Sequence, residues 1–216
     1  MPTVSAEFVW RMEDVLDLYA EPYSAQFPVV CFDECPYQLI GETRQPLAPR
    51  PGKVQRYDYE YQRNGTCNLF NYFQPLAKWR HIVVTARRTR HDFAYQMKDL
   101  VDVLRPEAER IRIVLNNLNI HTPWALYEVF PPDEARRLLR HLEFHYTPKH
   151  GSWLNMVETE FAVLSSQCLD QRIPDLETLR AEIAAWEAER NGRGATVNWQ
   201  FQTIDARTKL KSLYPS

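Results

Sequence analysis

Two short apolar runs in this chain each stop at polar side chains. Val29-Val30-Cys31-Phe32 ends at Asp33-Glu34, and Ile111-Arg112-Ile113-Val114-Leu115 ends at Asn116-Asn117. Near-continuous, β-branched runs of this length read as strands buried on both faces. A strand that is apolar on both faces needs cover above and below. The fold therefore has to be a sheet with helices packed on it, with two polar strand ends facing one edge.

The rest of the chain supplies that cover. Residues 5–19 place Phe8, Met12, Val15, Leu16 and Tyr19 on one helical face, with Ser5 as cap. Residues 36–65 hold Pro46, Pro49, Pro51-Gly52 and Asn64-Gly65, and read as a long loop or a loosely paired hairpin. Thr66–Phe73 and Trp79–Ala86 read as strands joined by a short connection. Residues 91–104 form an amphipathic helix before the strand at Ile111. Short helices are expected from Thr122-Pro123 and from Pro131-Pro132-Asp133, with Asp133 as cap. A fifth strand follows at Leu142–Tyr146, then helices over 153–168 and 175–189. The close links favour antiparallel pairing of the first three strands, and the helical crossover favours a parallel fourth. The expectation is an α/β fold: a mixed five-stranded sheet flanked by helices. With 216 residues, 44% of them hydrophobic, the chain suffices for one core and one domain. Its parts are a leading helix and linker (1–27), a core (28–170) and a helical extension (171–216).

Composition excludes little beyond this. The formal net charge of −2 shows no global basic excess, and a carboxylate site would itself lower the charge. Cys31 and Cys35 lack further ligands at zinc spacing, so the four cysteines read as reduced thiols. No apolar run approaches the roughly 20 residues that cross a bilayer. Glu7, Arg11, Glu13 and Asp14 interrupt any signal-like stretch.

The strand ends carry the chemistry. Asp33 closes one buried strand, and Glu158 lies on the 153–168 helix, read as inward-facing, with Glu160 as its solvated neighbour. Hard oxygen ligands of this kind suit Mg2+ or Mn2+, and a pair of such ions can activate an attacking oxygen and stabilise a leaving one in phosphodiester cleavage. The bland alternatives are a turn aspartate at Asp33, a turn-closing amide at Asn116 and a solvated helix acid at Glu158.

Four blocks sharpen this reading. They are Val30-Cys31-Phe32-Asp33-Glu34, Asp58-Tyr59-Glu60-Tyr61 with Arg63-Asn64-Gly65-Thr66, Asn116-Asn117-Leu118-Asn119-Ile120-His121, and His145-Tyr146-Thr147-Pro148-Lys149-His150-Gly151-Ser152-Trp153-Leu154-Asn155-Met156-Val157-Glu158. From about Val29 to Ile173 the chain resembles the catalytic (DDE) domains of mariner-like transposases, in particular the bacterial insertion-sequence branch. The resemblance implies an RNase H-like fold, a two-metal Mg2+ or Mn2+ site, and metal-dependent DNA cleavage and strand transfer. The family's catalytic and metal-binding acids fall on Asp33, Asn116 and Glu158. At Asn116 an amide stands where the family has its second Asp. One negative charge is then missing between two dications, so metal binding and catalysis are expected to be badly impaired. The intact surroundings favour deliberate silencing over natural decay as the origin of Asn116. The resemblance further implies transposon ends and a TA-type target as DNA partners, a homodimer in the active assembly, and a bacterial, cytoplasmic, nucleoid-associated setting. Family members usually carry helix-turn-helix domains ahead of the catalytic domain. None is seen here, so weak sequence-specific end recognition is expected. Competing readings are another RNase H-like nuclease, such as a junction resolvase, and a non-catalytic DNA-binding or assembly module.

Candidate DNA contacts form three groups. Arg44, Arg50, Lys53, Arg56 and Arg63 share the 36–65 region with Tyr57, Tyr59 and Tyr61, a pattern suited to phosphates and stacked bases or to a solvated loop. Arg87, Arg88 and Arg90 follow the third strand. Lys149, His150 and Trp153 precede or open the helix that bears Glu158 and are the best placed. His121 could orient a ligand or simply be hydrogen-bonded structure.

Overall fold

The two apolar runs are neighbouring strands at the centre of one sheet. The computed structural model describes residues 5–44, 50–52 and 58–214. The strands are β1 (Val29–Glu42), β2 (Tyr61–Gln74), β3 (Trp79–Thr85), β4 (Ile111–Leu115) and β5 (Leu142–Tyr146), in spatial order β3-β2-β1-β4-β5. β1 pairs antiparallel with β2, and β2 with β3, whereas β4 runs parallel to β1 and β5 to β4. This is the expected mixed five-stranded sheet.

Alternation along the strands divides the core. Val30 and Phe32 of β1, Phe70 and Tyr72 of β2, and Ile111, Ile113 and Leu115 of β4 face one layer of helices. That layer holds α2 (Arg90–Asp99), α3 (Ala125–Val129) and α4 (Pro132–Arg140). Cys31, Leu69, Phe73 and Val114 face the other layer: α1 (Ala6–Ala20), α5 (Val157–Gln167), α6 (Leu176–Gly192) and α7 (Thr203–Lys209). Ser5 caps α1 as its spacing predicts, accepting from the Phe8 N–H at 3.1 Å.

The structure differs from the sequence reading in several places. β1 runs on past Asp33 to Glu42 and pairs with β2 from Tyr61, so the described ends of the 36–65 region form the hairpin of the two alternatives, with a bulge between Gln38 and Ile40. The β2 side of that arm, from Tyr61 to Thr66, is exposed and held by ladder hydrogen bonds, whereas Leu39 on the β1 side joins the core, so the arm carries little apolar period. Pro131, not Asp133, occupies the cap of α4, and Asp133 falls in its first turn. The helix expected over 153–168 is broken. A 3-10 turn at Ser152–Leu154 ends at Asn155, and α5 starts only at Val157. The helix of 91–104 finishes as a π-turn at Leu100–Leu104.

The β3 edge of the sheet is closed by side chains of α6. Asn191 Oδ1 accepts from the Arg80 N–H at 2.9 Å, Glu187 Oε2 accepts from the Ile82 N–H at 2.9 Å, and Arg180 donates to the Val84 carbonyl at 3.3 Å. These contacts occupy groups that an open edge strand would offer to another chain.

Candidate active site

Register alone brings two of the sequence-predicted residues together. The parallel pairing matches Cys31 with Val114. Two residues further along each strand lie Asp33 and Asn116, on the same sheet face. The Asn116 amide donates to Asp33 Oδ1 at 2.9 Å, and that oxygen also accepts from the Glu34 N–H at 2.9 Å. Asn116 Oδ1 in turn accepts from the Leu118 N–H at 3.0 Å, so the amide does close a turn. Asp33 is buried, and burial pushes its carboxyl up to about 7. Nearby Glu34 and Glu158 add to the rise, while His121 and the Glu34 N–H oppose it.

Glu158 sits in the first turn of α5, close enough for its charge to act on both Asp33 and Cys35. Its side chain is exposed rather than inward-facing. The buried acid of this helix is Glu160, which the sequence reading had placed in solvent. Glu160 Oε1 meets Arg80 Nε and Arg190 Nε, both at 2.9 Å. The signal was present: Val157, Phe161 and Leu164 are core, and position 160 lies on their stripe. Residues two apart on a helix point about 200° apart. Fixing Glu160 inward therefore aims Glu158 outward past the strand ends. The start of α5 is tied down by Asn155, whose Nδ2 donates to the Phe32 carbonyl at 2.9 Å, one residue before Asp33.

On the opposite face a second buried pair backs the site. His121 Nε2 lies 2.8 Å from Glu34 Oε2, and its Nδ1 lies 3.4 Å from the Asn116 carbonyl. Arg88 Nη1 reaches Glu34 Oε1 at 3.7 Å. Phe32 and Phe93 pack on the imidazole. The pair holds the loop after β4, a role that neither Glu34 nor Arg88 advertised in sequence.

The residues present meet only part of what the divalent metal implied by the resemblance requires. Asp33 and Glu158 offer hard carboxylate oxygens. Asn71, in register with Asp33 on β2, is fully buried and its amide has no hydrogen-bond partner, nor has Asn155 Oδ1. Such atoms suit the hydration shell of an ion. Asn116, however, turns an N–H donor toward Asp33, where a shared ligand would need a lone pair. Among the described residues, no three His, Cys, Asp or Glu side chains form a metal cluster. The donor set thus fits one divalent cation and does not fit a bridged pair. The thiols offer nothing in exchange, since burial pushes both Cys31 and Cys35 to about 12.

The predicted DNA contacts separate into near and far. Lys149 and His150 are exposed on the turn after β5, and half-exposed Trp153 packs against Trp199 and Phe201. These flank the strand ends. Arg44 and Arg63 lie out on the hairpin arm, with Arg44 paired to Asp58 at 3.3 Å and Arg63 over the Tyr61 ring. At about 3.3 Å per residue, Glu42 stands roughly 30 Å along β1 from Asp33. Arg50 is exposed. Lys53, Arg56 and Tyr57 lie outside the described residues. Arg88 and Arg90 are engaged with Glu34 and Glu128.

A family model described as DDE superfamily endonuclease matches residues 28–180. Among solved structures, the Mos1 mariner paired end complex with Mn aligns over 98% of this chain and 63% of that one, at 15% identity and a TM-score of 0.59. The Mos1 strand transfer complex aligns over 95% and 59%, at 15% identity and a TM-score of 0.60. The Mos1 paired end complex with Mg gives 89% and 59%, at 17% identity and 0.55. This chain therefore spans about three fifths of the length of those proteins, and shares with them an RNase H-like fold. No curated protein matches it.

Proposed function

We propose, from the premise that this chain belongs to the DDE superfamily endonucleases, that it is a DNA transposase catalytic domain of an insertion sequence, impaired as it stands by Asn116. One observation carries the reading. The ends of two parallel central strands bring Asp33 and Asn116 into contact at 2.9 Å, and α5 sets the exposed Glu158 close enough for its charge to act on Asp33. In this reading Asp33 and Glu158 are the acids, and position 116 is where the third belongs.

Asp33 and Glu158 would hold the metal. A divalent cation there supplies charge stabilisation at a scissile phosphate and a more acidic bound water. The chain's own residues do the rest. Asp33 accepts two N–H bonds that fix its carboxylate. Glu160 and Asn155 fix the rotation and start of α5. Lys149, His150 and Trp153 lie beside the strand ends to meet DNA. The mariner relatives are described as Mos1 transposase paired-end complexes, one with the left transposon end, and as complexes with Mn or Mg. By that analogy the partner is transposon-end DNA; the sequence resemblance adds a TA-type target, a homodimer as the working unit and a bacterial nucleoid as the setting. Among the described residues no helix is long and apolar enough to cross a membrane.

The test is nicking of supercoiled plasmid in Mg2+ or Mn2+ by the chain as it stands and with Asn116→Asp. Metal-dependent nicking by the variant, far above the parent, is the expected result. No nicking by the variant at any metal concentration, with its fold intact, counts against a catalytic domain. A non-catalytic DNA-binding module is the second reading. It is favoured by the same amide, which satisfies Asp33 without a cation.

A further inference from the structure

We propose that a groove roofed by α1 seats the phosphodiester backbone of the DNA strand leading into the acidic site. The proposal rests on the reading that this chain acts on DNA, and it names where the strand lies. The groove has a volume of about 610 Å³. Arg11 of α1 forms one wall, Asn117 and Asn119 from the loop after β4 form the floor, and Lys149 and His150 form the far wall. Asn117 directly follows Asn116, so the floor of the groove begins one residue from the amide that contacts Asp33.

Its lining suits a phosphate chain. Two permanent cations and a histidine stand over the exposed Asn119 amide, while Asn117 spends its own N–H on the Thr147 carbonyl, and such a set binds phosphate oxygens without reading bases. Arg11 is already held in place. Its Nη1 donates to Asn117 Oδ1 at 2.7 Å, and the guanidinium lies 5.7 Å from the centre of the Tyr146 ring. The far wall is a tight turn, closed by the Gly151 N–H to the Pro148 carbonyl at 2.8 Å. His150 takes a positive φ of 64° there, which leaves both Lys149 and His150 exposed. A Cβ on Gly151 would fall 2.6 Å from Pro148 Cγ, so only glycine allows the turn to close this tightly.

One acid opposes the ligand. Glu7 also lines the groove and bonds Arg11 at 2.9 Å, with its own side chain 69% exposed. It holds Arg11 in the free protein and offsets its charge. Removing that acid should therefore tighten binding, which a purely structural role for the ion pair does not predict.

The experiment is fluorescence anisotropy of a labelled duplex oligonucleotide across a KCl series, on the whole chain. Arg11→Gln and Lys149→Gln should each weaken binding about tenfold and lower the salt slope by about one. Glu7→Gln should tighten binding several-fold at low salt. Melting curves establish that each variant folds, and Glu7→Gln keeps the test decisive if Arg11→Gln does not. Wild-type binding with all three variants unchanged in affinity and slope would overturn the groove and leave the DNA reading standing. No binding by the wild-type chain at low salt would overturn both.

Discussion

Replacing Asp33 by Asn should make the chain more stable above neutral pH and flatten its response to pH. The reasoning begins with burial. Asp33 sits at the end of a central strand, and its carboxyl is pushed from 3.8 up to about 7. A folded-state value above the unfolded one means that the folded chain holds the extra proton. Stability from this group is then full below about pH 4 and is lost as pH rises toward 7. The gap is about three units at about 1.4 kcal/mol each, so charging Asp33 in the fold costs on the order of 4 kcal/mol. Asparagine at this position keeps an oxygen for the Glu34 and Asn116 N–H groups and never ionises. Asp33→Asn should therefore gain about 2–4 kcal/mol at pH 8 in chelator, roughly 5–10 °C in Tm for a chain of this size. The assay is thermal unfolding of both proteins from pH 4 to pH 8 with EDTA. The difference between the two curves isolates Asp33 from the other carboxylates. Parallel curves across that range would refute the argument, because they would mean that Asp33 is already ionised at little cost.

Asn116→Asp should do the reverse without metal. It puts two carboxylates in contact, a repulsion of about 4 kcal/mol or more at an effective dielectric of 20, and lowers Tm above pH 7. Millimolar Mn2+ should restore the loss, and identical melts with and without metal would show that position 116 does not adjoin a cation site. Glu160→Leu removes the carboxylate shared by buried Arg80 and half-buried Arg190 and should cost about 3–5 kcal/mol in urea denaturation. Replacing all three residues by apolar ones should recover most of it. A single variant within 1 kcal/mol of wild type would show that the cluster does not hold α5.

The central strands were legible because they are apolar on both faces, and the stops at Asp33 and Asn116 marked the same sheet edge. Their direct contact was not legible, since it follows from the register of Cys31 with Val114, which no local pattern encodes. The hairpin arm to Glu42 was obscured because Leu39 is the one buried hydrophobic on its β1 side and its β2 side is exposed from Tyr61 to Thr66, so no apolar alternation marks it. Glu160 was misplaced because a carboxylate on an apolar stripe reads as solvent-facing until its partners are known. Those partners, Arg80 and Arg190, lie 80 and 30 positions away. The same distance in sequence hid the pairing of Glu34 with His121 and of Arg11 with Asn117. α7 carried too little apolar period to be read. It is short and buries Ala206 alone.

The claim that position 116 is the missing acid of a metal site is tested most directly by counting Mn2+ ions. Electron paramagnetic resonance titration of the chain as it stands should show at most one weakly held ion per chain. With Asn116→Asp, two ions should bind, and Glu158→Gln in that background should remove at least one of them. Equal stoichiometry and affinity in the first two proteins would contradict the account.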